Sequence, residues 1–133
     1  MQLDGAESVD TAPAAPMSAK QRKAALTRYR NQLSPVLDAM DTTTRTIAAP
    51  LILDCARLRV MMDDCWATYL SEGAVAEYQN GGGQGGLREH PCLGSYIKCQ
   101  RSLAANVAKL TGLVGRDASA GDALAEFLAA ARS

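Results

Sequence analysis

The sequence predicts a mainly α fold: a hairpin of two long helices with a small β-hairpin between them, a basic helix in front and a short helix behind. Three observations predict it. Apolar residues recur three and four apart across residues 51–69 and again across 93–110, the period of one helix face. A glycine-rich stretch, residues 81–86, divides the two runs. The chain holds one Trp and one Phe among 133 residues and is rich in alanine, which suits packed helices better than a β-sandwich. That length allows one domain. Within it, residues 1–17 read as a disordered tail, 18–115 as the helical domain and 116–133 as a C-terminal helix.

The tail carries Asp4, Glu7 and Asp10, two prolines and small residues, with little to bury. Ser18 is a natural N-cap for a helix over 18–33. On it Ala25, Leu26, Tyr29 and Leu33 share one stripe, and Lys20, Lys23, Thr27 and Arg30 share another. Arg22 falls inside the apolar stripe. Ser34-Pro35 is expected to stop this helix, because the residue before proline avoids the helical region. A threonine-rich segment, 42–46, opens the next helix, with a break or kink expected near Ala49 ahead of Pro50.

From Leu51 the pattern strengthens. Leu51, Cys55, Leu58, Met62, Cys65 and Tyr69 stay within an arc of about 80°. Met61, Trp66 and Leu70 widen that face, while Arg57, Asp64 and Thr68 fall on the far side. So wide a face exceeds what one neighbouring helix covers, and predicts burial in a helical hairpin or an oligomer. Gly73 is the expected C-cap. Val75 and Tyr78 are strand formers before a turn at Asn80-Gly81, with a short return strand near 87–89. Pro91 then suits the first position of the second long helix. Leu93, Tyr96, Ile97, Gln100, Leu103, Ala104, Val107 and Leu110 form its inner face, and Gly112 is its expected end. A last helix over 119–131 points Leu124, Phe127, Leu128 and Ala131 inward.

Function classes narrow next. The first residues show no basic-then-apolar leader, and the longest apolar run, 47–53, is too short to span a bilayer. A soluble, intracellular protein is expected. In a reducing compartment the four cysteines, Cys55, Cys65, Cys92 and Cys99, read as small buried apolar residues rather than disulfide partners. Their spacings of ten and seven residues are not the two-residue gap that aims paired thiolates at one zinc, so no metal is expected. His90, the only histidine, lies two residues from Cys92, but nothing supplies an orienting third group for catalysis. His90 reads better as a cap at the junction of hairpin and helix. Gly81, Gly83 and Gly86 formally match a dinucleotide fingerprint, yet no buried strand precedes them and no helix follows at once. They read as a flexible hairpin tip.

The formal net charge is zero, so only local charge informs on a polyanionic partner. Lys20, Arg22, Lys23, Arg28 and Arg30 come without one acid between them. Five cations in eleven residues can neutralise phosphates and release counterions; a plain solvated helix face is the competing reading. Three of the five sit in a first turn, where the helix dipole disfavours them.

In order and spacing, these elements resemble the small subunit of tailed-phage terminases over residues 19–113. The resemblance rests on the basic first helix, a long helix ending Tyr69-Leu70-Ser71-Glu72-Gly73, and the glycine-tipped hairpin. It continues through His90-Pro91-Cys92-Leu93, where the family usually has asparagine- or histidine-proline-alanine-leucine. It closes on Leu110-Thr111-Gly112-Leu113, where the family has leucine-glycine-leucine. Val114-Gly115-Arg116-Asp117 departs from the threonine-proline or serine-rich cap with arginines common there in the family. The resemblance implies a non-enzymatic, cofactor-free protein of the host cytoplasm. It would form a ring-shaped homo-oligomer, bind double-stranded viral DNA and hand it to the large terminase subunit for packaging. Lys20, Arg22, Lys23, Arg28 and Arg30 would contact DNA. Leu51, Leu58, Met62, Trp66, Tyr69, Leu103, Val107 and Leu110 would join copies. The alternative is a helical protein-interaction module without nucleic acid.

Overall fold

The computed structural model describes residues 17–80 and 84–132. Four helices and one two-stranded sheet follow in order: α1 (Ala19–Asp38), α2 (Thr42–Glu72), β1 (Val75–Asn80), β2 (Gln84–Glu89), α3 (Pro91–Val114) and α4 (Ala118–Arg132). The fold is mainly α, as the pattern predicts. The tail before Met17 and the glycine tip at 81–83 lie outside the described residues.

Ser18 caps α1 in both directions. Its hydroxyl accepts from the Gln21 backbone at 3.1 Å, and the Gln21 side chain accepts from the Ser18 backbone at 2.8 Å. The helix does not stop at Leu33. It runs through Pro35 to Asp38, because the buried stripe of Ala25, Tyr29 and Leu33 extends to Val36. Proline removes one hydrogen bond on the exposed side, and that burial outweighs it. The expected break near Ala49 is likewise absent. Asp41 caps α2 by accepting from the Thr44 backbone at 2.8 Å, and the helix is continuous for 31 residues. Ala48 and Ile52 are buried on either side of Pro50, whose ring faces outward.

Helices α2 and α3 form the long hairpin and run in opposite directions. Glu72 meets His90 at one end, and Trp66 meets Tyr96 further in. Gly73 ends α2 with φ 78°, a left-handed angle that favours glycine. The strands pair antiparallel from Val75 opposite Glu89 to Asn80 opposite Gln84. β2 therefore starts earlier than the sequence suggests. Helix α3 passes the expected end at Gly112 and closes on Gly115, at φ 66°.

The core joins all four helices. Leu33 and Val36 of α1, Ile52, Cys55 and Ala56 of α2, Leu103 and Leu110 of α3, and Phe127 of α4 belong to one cluster. Phe127 is completely buried and meets the Tyr29 ring edge-on at 5.8 Å. Residues 116–132 thus complete the core built by 18–115 rather than standing apart from it. On α3 the buried line is Cys92, Cys99, Leu103, Val107 and Leu110; Ile97, Gln100 and Ala104, expected inward, are exposed. Cys55, Cys92 and Cys99 are buried free thiols and Cys65 is half-buried. Cysteine thus fills core positions that aliphatic residues would otherwise occupy.

Candidate nucleic-acid interface

The five cations of α1 divide into two groups. Arg22 stays exposed but reaches across to α2, where its Nε lies 2.9 Å from an Asp64 carboxylate oxygen. The other oxygen of Asp64 accepts from the Met17 backbone at 2.8 Å. Asp64 was expected on the far side of α2; instead it ties α2 to the start of α1. Next to it, Asp63 accepts from the Tyr29 hydroxyl and pairs with the buried Arg59 at 3.4 Å. The guanidinium groups of Arg28 and Arg59 lie 5.0 and 5.5 Å from the centre of the Tyr29 ring. Burial, with the Asp63 carboxylate beside it, pushes the Tyr29 phenol above its usual pKa. Arg22 is therefore committed to an ion pair, and Arg28 to a ring face.

Lys20, Lys23 and Arg30 form the second group. All three are exposed and share one stripe of α1, and they make no ion pair among the described residues. Arg28, exposed and without an ion pair among the described residues, also keeps its charge but lies off this stripe.

A different surface surrounds Trp66. Its side chain is about half exposed (49%), stacks on Tyr69 at 5.1 Å and tilts against Tyr96 at 6.2 Å. Apolar hollows lie on both sides of it. One, about 410 Å³, runs between α1 and α2 past Met17, Ala24, Ala67 and Leu70. The other, about 180 Å³, lies between α2 and α3 beside Leu93, Tyr96 and Ile97. With Leu70 at 49% and Ile97 at 46% exposure, this is an apolar patch of the kind that marks a protein contact.

The structure corrects half of the expected oligomer set. Met62, Leu103, Val107 and Leu110 are at most 8% exposed and belong to the chain's own core, so they offer no surface to a second copy. Leu51 and Leu58 are half-buried against that core. Trp66 remains available, with Tyr69 half-buried beneath it. Leu70 and Ile97 are the surface residues that periodicity did not single out as contacts. The wide apolar face of α2 predicts burial in a helical hairpin or an oligomer. It does not reveal that α1 and α3 cover most of it from two sides.

His90 is the N-cap of α3. Its Nδ1 accepts from the Cys92 backbone at 3.1 Å, so the ring hydrogen is on Nε2, which lies 2.7 Å from Glu72. Both ring nitrogens are thus engaged, one by the Cys92 backbone and the other by Glu72. Burial, with the Glu72 carboxylate nearby, raises the Cys92 pKa and disfavours the thiolate. Among the described residues no three His, Cys, Asp or Glu side chains converge to hold a metal ion. No helix among them is long and apolar enough to cross a membrane.

The chain matches no family model, no curated protein and no solved structure.

Proposed function

We propose that the chain is a non-enzymatic DNA-packaging protein of the terminase small-subunit type. It binds double-stranded viral DNA through α1, assembles through the Trp66 surface as a homo-oligomeric ring, and passes DNA to the large terminase subunit in the host cytoplasm. The observation that carries this reading is the exposed stripe of Lys20, Lys23 and Arg30, which has no ion pair among the described residues. Unneutralised cations on a rigid helix face attract phosphates and release counterions. The order of a basic helix, a long hairpin and an intervening glycine-tipped sheet is consistent with the family resemblance. A half-exposed tryptophan between two apolar hollows gives copies a place to meet. Repetition around a ring would turn a patch of three cations into strong binding by avidity.

Binding to duplex DNA across a salt series tests the DNA claim. Wild-type affinity should fall steeply with salt, and Lys20→Ala, Lys23→Ala and Arg30→Ala combined should weaken binding to every sequence and flatten the slope. Unchanged affinity in the triple variant would remove these residues from the role.

The competing reading is a helical interaction module without nucleic acid. The pairing of Arg22 with Asp64 favours it, because one of the five cations of the basic run is then neutralised within the chain. A stable complex with another protein, together with no retention on DNA at low salt, would establish it over the first.

A further inference from the structure

The cationic stripe of α1 continues into a groove. Thr27, Arg30, Asn31 and Ser34 form one wall of a cleft of about 870 Å³, and Arg45, Thr46, Ala49 and Pro50 of α2 form the other. Leu37, Ile52 and Leu53 also line it, and Asp38 is the one carboxylate among the lining residues.

Arg45 is the informative residue. Its Nε donates to the Leu37 carbonyl at 3.2 Å and its Nη2 to the Met40 carbonyl at 3.1 Å. Those carbonyls belong to the last turn of α1 and the loop after it. They fix the guanidinium in place without neutralising it. The nearby Asp41 carboxylate caps the α2 N-terminus through Thr44 and also feels the Arg45 charge, although no ion pair joins the two among the described residues. A positive charge, offset in part by Asp41 and the carbonyl end of α1, is thus held at the groove with little side-chain freedom left to lose on binding.

We propose that this groove seats the sugar-phosphate backbone of one strand of duplex DNA, with Arg45 as a phosphate contact opposite Arg30. The assignment rests on the DNA-binding reading above and adds the second wall of the interface. Extent favours a polymer over a small anion. Lys20 and Arg30 are ten residues apart, about 15 Å along a helix at roughly 1.5 Å per residue, which matches about four nucleotide steps of roughly 3.4 Å. The neutral groups beside the cations, Thr27, Asn31 and Ser34, are of the types that hydrogen-bond phosphate oxygens, whereas the Thr46 hydroxyl already donates to the Thr42 carbonyl at 2.9 Å. No aromatic side chain lines the cleft, so it lacks the stacking platform of a single-strand site.

Ala49 is exposed on the groove wall one helical turn after Arg45, so a carboxylate placed there offsets the Arg45 charge as well as repelling phosphate. Ala49→Glu sets a carboxylate in the groove, and Ala49→Gln sets a neutral group of the same size there. Both are compared with wild type for binding to a mixed-sequence duplex across a salt series, with helicity checked by circular dichroism. The Glu variant should bind roughly tenfold more weakly than the Gln variant, with a salt slope shallower by about one. If either variant is unfolded, Thr27→Glu and Thr27→Gln make the same comparison from the α1 wall. Salt-sensitive wild-type binding with equal affinity for the Glu and Gln variants overturns the groove assignment and leaves the DNA reading standing. No salt-sensitive binding by the wild-type chain overturns the DNA reading, and the groove assignment with it.

Discussion

Cys55 lies completely buried in α2, and burial raises its thiol pKa from the usual 9.0 to about 11, with the Asp54 carboxylate adding to the effect. The folded state therefore holds the thiol proton more tightly than the unfolded chain does. That stabilisation is fully present below pH 9 and is lost as pH rises to about 11. The phenol of Tyr29 shifts in the same direction and adds to the decline. The denaturation midpoint should fall across this window, and Cys55→Ala should make the fall shallower. Equal slopes would exclude Cys55 as a source. His90 offers a second test at this scale, because it caps α3 and reaches Glu72 at the end of α2. Chemical denaturation should show His90→Ala losing about 1 kcal/mol, while His90→Asn, which keeps an N-cap acceptor, recovers most of it. Equal loss in both would place the effect in the Glu72 contact instead.

At the scale of elements, the prolines separate what local sequence dictates from what packing decides. Both Pro35 and Pro50 carry local signals to end a helix, and both lie inside one. Ala48, Ile52 and Val36 are buried close by, and their burial holds the helix together across the lost hydrogen bond. Pro50→Ala should therefore stabilise the fold by about 1–3 kcal/mol in a denaturant titration. A destabilised variant would mean that the proline ring itself packs against something important. Caps were legible in the sequence because they are local chemistry: Ser18, Gly73 and Pro91 stand where their residue types require. The burial of Cys92 and Cys99 in preference to Ile97 was not legible. It depends on how α3 rotates against α2, which no single helix encodes. The reach of Arg22 toward α2 was half visible, since it sits in the apolar stripe of α1. Its partner Asp64 is 42 residues away and was assigned to the opposite face.

At the scale of the whole molecule, the structure sharpens which surfaces remain for other molecules. The core closes over Met62, Leu103, Val107 and Leu110, so a single chain hides much of its apolar face. Among the apolar residues left exposed, Trp66, Leu70 and Ile97 flank two hollows, while Ile47, Met61, Val75 and Leu87 are also exposed and the cations of α1 lie on a separate stripe. That division fits a protein that joins its own copies on one surface and a polyanion on another. The most direct measurement is the native mass of the protein, alone and mixed with a short duplex, for wild type and for Trp66→Ser. The account predicts a complex of several 14.0 kDa chains that takes up duplex, and an assembly broken down to smaller species by Trp66→Ser. A lone chain in both conditions, with the duplex left free, would contradict it.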